Sequence, residues 1–149
     1  MVLWHDQQPR AGWENMSLDR ALLDWVADHD IVVIRLYRWL TDSISFGANE
    51  SALRHWDRQA LEVSGVPIVR RPSGGRAVWH AAEDLTYAVT APLQRFGGQL
   101  AAYRLIHERM AFALENLRLQ AATAASPARL PGLAAGSCFD VAVGGEVLV

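Results

Sequence analysis

The chain has 149 residues, 51% of them hydrophobic and 20% charged, and its formal net charge is -2. These values are typical of one globular domain and exclude a disordered chain or an overall positive field that would gather nucleic acid, so we expect no nucleic-acid partner. All 14 basic residues are arginines, which excludes Schiff-base and P-loop chemistry based on lysine.

Apolar residues at helical spacing alternate along the chain with short β-branched runs. Asn15 or Ser17 is a candidate N-cap for the first helix, and Ser64-Gly65 ends the second. The first two strands are expected to form a hairpin or a sheet edge. In chain order we predict a helix over residues 15–29, strands over 31–37 and 43–46, a helix over 51–63, strands over 68–71, 77–80 and 85–90, a helix over 99–117, a loop over 121–136 and a strand over 146–149.

The sequence shows no sign of a membrane or secretory address. Its longest aliphatic run, residues 31–34, is far short of the roughly 20 residues of a membrane helix, and residues 1–6 lack the pattern of a secretory signal. The one cysteine, Cys138, cannot form an internal disulfide, which is compatible with a reducing compartment. We expect a cytoplasmic location and no membrane partner.

The most informative stretch is a predicted strand that ends in Arg70-Arg71. Neighbouring residues on a strand point to opposite faces, so at least one of these guanidinium groups faces the core side, where an unpaired charge is costly. An anion or a carbonyl ligand would remove that cost. The Gly74-Gly75 turn that follows lets backbone N–H groups approach such a ligand.

Arg76 adds a third cation after this turn, and His80 follows at the far end of the next strand as a donor, acceptor or proton carrier. The alternative interpretation is structural: a hairpin whose turn requires glycine, with solvated arginines and a structural histidine.

Residues 70–80, Arg-Arg-Pro-Ser-Gly-Gly-Arg-Ala-Val-Trp-His, and residues 84–89, Asp-Leu-Thr-Tyr-Ala-Val, together resemble the signature of the lipoate-protein ligase and octanoyltransferase family, which is related to biotin ligases. The flanks at residues 15–19 and at Ser45-Phe46-Gly47 are also similar. Many family members carry glutamine shortly after that glycine, where this chain has Asn49-Glu50.

The resemblance implies an α/β (α+β) fold, a mixed β-sheet with flanking helices like the biotin/lipoate protein ligase catalytic domain, as a single domain over residues 1–149. It also implies an acyl or lipoyl pocket. The residues that match the signature there are Arg70, Arg71, Ser73, Gly74, Gly75, Arg76 and His80.

Two further features resemble the cysteine-dependent octanoyltransferase branch: Cys138-Phe139, and Arg76 in place of a third glycine. The resemblance implies that Cys138 is the catalytic nucleophile. It would take an octanoyl group from octanoyl-acyl carrier protein and pass it to a lysine of a lipoyl domain or of the glycine-cleavage H protein. This branch implies no cofactor and no metal.

Three alternatives stay open. The first is an ATP-dependent lipoate-protein ligase, which would need ATP and Mg. The second is a truncated, non-catalytic acyl-binding homologue, since the family's Gly-x-Lys segment would fall just after Val149 and we expect the domain to be incomplete at its C-terminus. The third is that Cys138 is a small buried hydrophobe rather than a nucleophile.

Overall fold

The computed structural model describes residues 1–51, 56–125 and 145–149. The backbone divides into two compact units, one that extends to Pro92 and one that begins at Leu93. In the described part of the chain no helix is long and apolar enough to cross a membrane.

The first unit is built from two three-stranded sheets and two helices. Its elements are β1 (Val2–His5), α1 (Gly12–Asp28), β2 (Val33–Arg38), β3 (Ser43–Phe46), α2 (Arg58–Ser64), β4 (Ile68–Arg70), β5 (Val78–His80) and β6 (Leu85–Thr90). One sheet has the order β1-β2-β6 and the other the order β4-β3-β5. In each, the central strand is parallel to the first neighbour and antiparallel to the second. Mixed sheets with flanking helices confirm the predicted fold class.

The N-terminus of α1 differs from the prediction. Helix α1 begins at Gly12, where Glu14 accepts a hydrogen bond from the Ala11 N–H at 2.9 Å, so the predicted cap at Asn15 or Ser17 is wrong. Asn15 is instead fully buried inside the helix, and its amide donates to the Arg38 carbonyl at 3.1 Å.

Helix α2 begins at Arg58, later than predicted, after the N-cap Asp57, which accepts from the N–H groups of Gln59 and Ala60. The predicted end is confirmed, because Gly65 adopts a left-handed conformation with φ 66° after Ser64. Residues 52–55 of the predicted helix lie outside the described residues.

The strand predictions place the elements correctly but pair them wrongly. Strands β2 and β3 do not form a hairpin, because each is the central strand of its own sheet. Strands β4 and β5 do not form a hairpin either, because they flank β3 on opposite sides. The Gly-Gly segment between β4 and β5 therefore crosses the end of β3, and the simple hairpin-turn interpretation is wrong.

A buried ion cluster joins α1 to the first sheet. Arg35, which has no exposed surface, donates to Asp6 at 2.9 Å and to Asp19 at 2.8 Å. It also donates to the side chain of Asn15 at 2.7 Å, and the ring of Tyr37 lies 4.1 Å from its guanidinium carbon. These contacts satisfy charges that would otherwise be costly to bury.

The second unit contains a short 3-10 helix (Leu93–Phe96), α3 (Gln99–Asn116) and the antiparallel pair β7 (Ala122–Thr123) and β8 (Val147–Leu148). Helix α3 and β8 confirm the predicted helix and terminal strand to within one or two residues. Strand β7 lies where a loop was predicted, and residues 126–144 are outside the described residues. The expectation of a single domain over residues 1–149 stays a prediction.

We predict that Arg35→Met lowers the free energy of unfolding by about 3–5 kcal/mol, since it leaves Asp19 buried without its cation and leaves Asp6 with Arg10 alone. Urea unfolding measures the loss. The matched control is Arg20→Met, because Arg20 is 65% exposed and pairs with the equally exposed Asp24 on α1. The control should change stability little; equal losses in the two variants would contradict the prediction.

Candidate functional site

The side chain of Arg71 connects strand β3 to residues 73–76, which contain Gly74 and Gly75 and are called the glycine segment below. Among the described residues, its guanidinium donates at least five hydrogen bonds, which reach four oxygen atoms. Two of these oxygens are the carbonyl and the hydroxyl of Ser45, at 2.9 and 3.1 Å. The others are the carbonyls of Gly74, at 2.8 Å, and Arg76, at 2.6 Å. Carbonyl groups of the chain itself therefore bind the Arg71 guanidinium, where the sequence predicts an anion or a carbonyl of a ligand.

The glycine segment lies against the end of β3 with almost no space between the two backbones. A Cβ atom at Gly47 would lie 2.0 Å from the carbonyl oxygen of Gly75, so that only glycine fits there. Gly75 itself has φ 97°, a left-handed conformation that favours glycine. The N–H of Ala48 donates to the Ser73 carbonyl at 2.8 Å and closes the contact.

The carbonyl and N–H groups of this segment are used differently. The carbonyls of Ser73 and Gly74 accept hydrogen bonds from Ala48 and Arg71. In the described part of the chain, the N–H groups of Ser73, Gly74 and Gly75 donate to no protein atom, and these three residues are exposed. The segment therefore offers a group of free backbone donors, an arrangement that can hold an anion or a polarised carbonyl.

His80 lies at the end of β5, and its ring has one contact at the edge, through Nε2, and one on the face. Its Nε2 lies 2.8 Å from the hydroxyl of Ser45. The ring stacks on Trp39 with a centroid distance of 3.9 Å and an interplanar angle of 13°. Trp39 is fully buried and donates its indole N–H to the Thr86 hydroxyl at 2.8 Å. Because the same Ser45 hydroxyl accepts from Arg71, Ser45 links His80 to Arg71.

Burial lowers the pKa of His80 to about 4, and the Arg71 cation acts in the same direction. The Asp84 carboxylate raises this pKa but does not offset the other two effects. His80 is thus a neutral imidazole at physiological pH, able to donate through one ring nitrogen and accept through the other.

Arg70 and Arg76 occupy different environments. Arg70 is exposed, and its Nη1 donates to the carbonyls of Gly47 at 2.5 Å and Glu50 at 3.0 Å. Arg76 is only 4% exposed, and its carbonyl is one of the acceptors of Arg71. Glu50 is also buried, and its carboxylate accepts from the Gly47 N–H at 3.2 Å. Arg70 therefore binds the backbone that follows β3, and Arg76 supplies one backbone acceptor to the Arg71 guanidinium.

The structure brings most of the predicted site residues together: Arg70, Arg71, Ser73, Gly74, Gly75 and Arg76 surround the end of β3, and His80 joins them through Ser45. Cys138 lies outside the described residues, so its predicted catalytic role stays a prediction. Among the residues described, no three His, Cys, Asp or Glu side chains are grouped so that they could hold a metal.

Sequence reasoning missed three residues that build this site. Ser45 and Gly47 lie in the segment that resembles the family, but nothing in their spacing showed a contact with residues 71–80. Trp39 carried no signal, because a tryptophan in an apolar stretch is typical of any core. Their roles depend on the strand order, which the sequence pattern did not predict.

The comparisons with known proteins agree with this fold. The family model described as the lipoyl protein ligase A/B catalytic domain matches residues 11–146. A T. acidophilum protein solved with bound lipoic acid has a TM-score of 0.73 at 21% identity; the match covers 99% of this chain and 57% of that one.

Curated relatives include an octanoyltransferase LipM from Exiguobacterium sp., 46% identical over 80 residues, which are 53% of this chain and 29% of the relative. Another, from Symbiobacterium thermophilum, is 32% identical over 97% of this chain and 54% of the relative. The chain spans about half the length, or less, of these relatives. It belongs to the lipoyl protein ligase A/B catalytic-domain family.

We predict that Gly47→Ala destabilises the first unit by about 1–3 kcal/mol or more, because the new methyl group overlaps the Gly75 backbone. Thermal unfolding measures the change. Gly74→Ala is the matched control, since a Cβ there meets no atom within 4 Å. A Gly47→Ala variant as stable as the control would show that the two backbones are not in close contact.

We also predict that His80 makes stability dependent on pH. The unfolded ring titrates near the ordinary value of 6.5 and the folded ring near 4, so between these values the unfolded chain binds a proton that the folded chain does not. The contribution of His80 to the free energy of unfolding is therefore complete above pH 6.5 and is lost as the pH falls towards 4. Urea unfolding at several pH values measures it.

The comparison variant is His80→Gln, which keeps a polar group near Ser45 but does not titrate. The difference in stability between the wild type and this variant should shrink as the pH falls from 6.5 to 4. A difference that stays constant over this range would mean that the folded ring titrates normally.

Proposed function

We propose that this chain carries the acyl site of a cysteine-dependent octanoyltransferase. It would accept an octanoyl group from octanoyl-acyl carrier protein and transfer it to a lysine of a lipoyl domain or of the glycine-cleavage H protein. The names of the relatives support the transferase branch, as do the Cys138-Phe139 pair and Arg76 in place of a third glycine.

The observation that carries the proposal is the set of free N–H groups at Ser73, Gly74 and Gly75. An acyl transfer passes through a tetrahedral intermediate whose oxygen carries negative charge, and fixed backbone donors stabilise that charge without moving. Arg71 fixes the position of this segment by donating to the carbonyls of Gly74 and Arg76. The donors are thus preorganised before any ligand arrives.

The proposed reaction has two steps. In the first, the Cys138 thiolate attacks the thioester carbonyl, a new carbon–sulfur bond forms, and the thiolate of the carrier protein leaves. In the second, the neutral amine of the acceptor lysine attacks the Cys138 thioester, an amide bond forms, and the Cys138 thiolate leaves while the amine loses a proton. Thioester exchange is nearly balanced in energy, which suits a cysteine nucleophile.

No step of this reaction needs a cofactor. An ATP-dependent ligase would instead activate free octanoate or lipoate as an adenylate, release pyrophosphate, and have no use for the thiol of Cys138. The two reactions are therefore distinguished by the state of one sulfur atom.

We predict that incubation with octanoyl-acyl carrier protein adds one octanoyl group to the chain, detected by intact mass measurement. Cys138→Ala should abolish the adduct, because it removes the chain's one thiol. The neighbouring Ser137→Ala is the matched control and should keep it.

The absence of an adduct on the wild-type chain would favour the truncated, non-catalytic homologue over the proposed transferase, and persistence of the adduct in Cys138→Ala would overturn the thioester mechanism. Release of pyrophosphate from ATP and octanoate by both the wild type and Cys138→Ala would favour the ligase in its place.

A further inference from the structure

The hydroxyl of Ser45 lies between two side chains of the site, the guanidinium of Arg71 and the imidazole of His80. It is 3.1 Å from Nη1 of Arg71 and 2.8 Å from Nε2 of His80, and the residue is only 1% exposed. Its hydrogen bonds therefore affect the guanidinium and the imidazole together.

The chemistry of the three groups fixes the direction of these hydrogen bonds. A guanidinium can only donate, so the Ser45 oxygen accepts from Arg71. In the described part of the chain, the Ser45 hydroxyl has no acceptor for its own proton except Nε2 of His80. A buried hydroxyl that kept its proton unpaired would lose free energy, so Nε2 accepts, and the ring proton then resides on Nδ1.

The environment of the ring favours the same arrangement. Burial and the Arg71 cation lower the pKa of His80 while Asp84 raises it, and the neutral form has one nitrogen free to accept. Trp39 stacks on the ring face and restricts its rotation. Nδ1 has no hydrogen-bond partner among the described residues, and the ring is only half-buried.

We propose that Ser45 is a positioning residue that holds His80 in the tautomer protonated on Nδ1, so that the ring presents a hydrogen-bond donor to the carbonyl of a bound acyl group. The ligand-directed part of this role rests on the proposed function. The tautomer itself is a property of the folded chain and does not depend on that function.

The test is nuclear magnetic resonance of the chain with ¹⁵N-labelled histidine and no substrate. The His80 signals are identified by their loss in His80→Gln. In the wild type at pH 7, we expect Nδ1 to have the shift of a protonated ring nitrogen and Nε2 that of an unprotonated one. In Ser45→Ala, we expect the two shifts to move towards each other as the tautomers mix, and the titration midpoint of the ring to rise.

The matched control is Ser43→Ala. Ser43 is a buried serine of the same strand, but its hydroxyl donates to the Thr41 carbonyl at 3.1 Å rather than to His80. The control should leave the His80 shifts and midpoint as in the wild type. Equal changes in the two variants would show a general loss of packing and would overturn the proposal.

The wild-type spectrum is decisive even if Ser45→Ala fails to fold, because a proton found on Nε2 would contradict the proposed direction of the hydrogen bond. These spectra are also independent of acyl transfer. The predicted tautomer in a chain that forms no octanoyl adduct would overturn the proposed function alone, whereas the wrong tautomer in a chain that forms the adduct would overturn the role of Ser45 alone.

Discussion

The hydrogen bonds from the Arg71 guanidinium to Ser45, Gly74 and Arg76 determine the arrangement of the site. They bind two different parts of the backbone, the middle of β3 and the glycine segment, through one planar group. Lysine could not replace this side chain, because a compact ammonium has three donors and no fixed fork to reach oxygens on both sides. At position 71, arginine is therefore required so that one side chain binds both β3 and the glycine segment.

The same cation acts on the electrostatics of the site. Arg71 shares the Ser45 hydroxyl with His80, so the positive charge that fixes the backbone also disfavours a second positive charge on the imidazole. The buried Arg35 and the half-buried Arg71 have different surroundings in the first unit. Arg35 pairs with the carboxylates of Asp6 and Asp19, whereas Arg71 donates to the carbonyls of Ser45, Gly74 and Arg76 and lowers the pKa of the neighbouring His80.

Much of the fold and part of the site could be predicted from the sequence. The bounds of β3 and β6 agree with the prediction, and glycine after Ser64 predicts the left-handed cap that Gly65 adopts. The N-terminus of α1 could not be predicted, because the side chain of Asn15 donates to the carbonyl of Arg38, which is distant in sequence. The strand order could not be predicted either, because it depends on contacts between residues far apart in the chain. The glycine motif indicated the location of the site, but the partnership of Ser45 with His80 depends on β3 lying beside β5.

The path of the chain between β4 and β5 restricts how this region can vary in length. Both strands flank β3, so the connection from Arg71 to Ala77 must span two strand spacings, about 10 Å, and pass over Gly47 on the way. Most surface connections tolerate the gain or loss of a residue because their ends stay close together. Here a deletion or an insertion would displace the carbonyls of Gly74 and Arg76 from the Arg71 guanidinium that binds them, so insertions and deletions should accumulate elsewhere in the first unit.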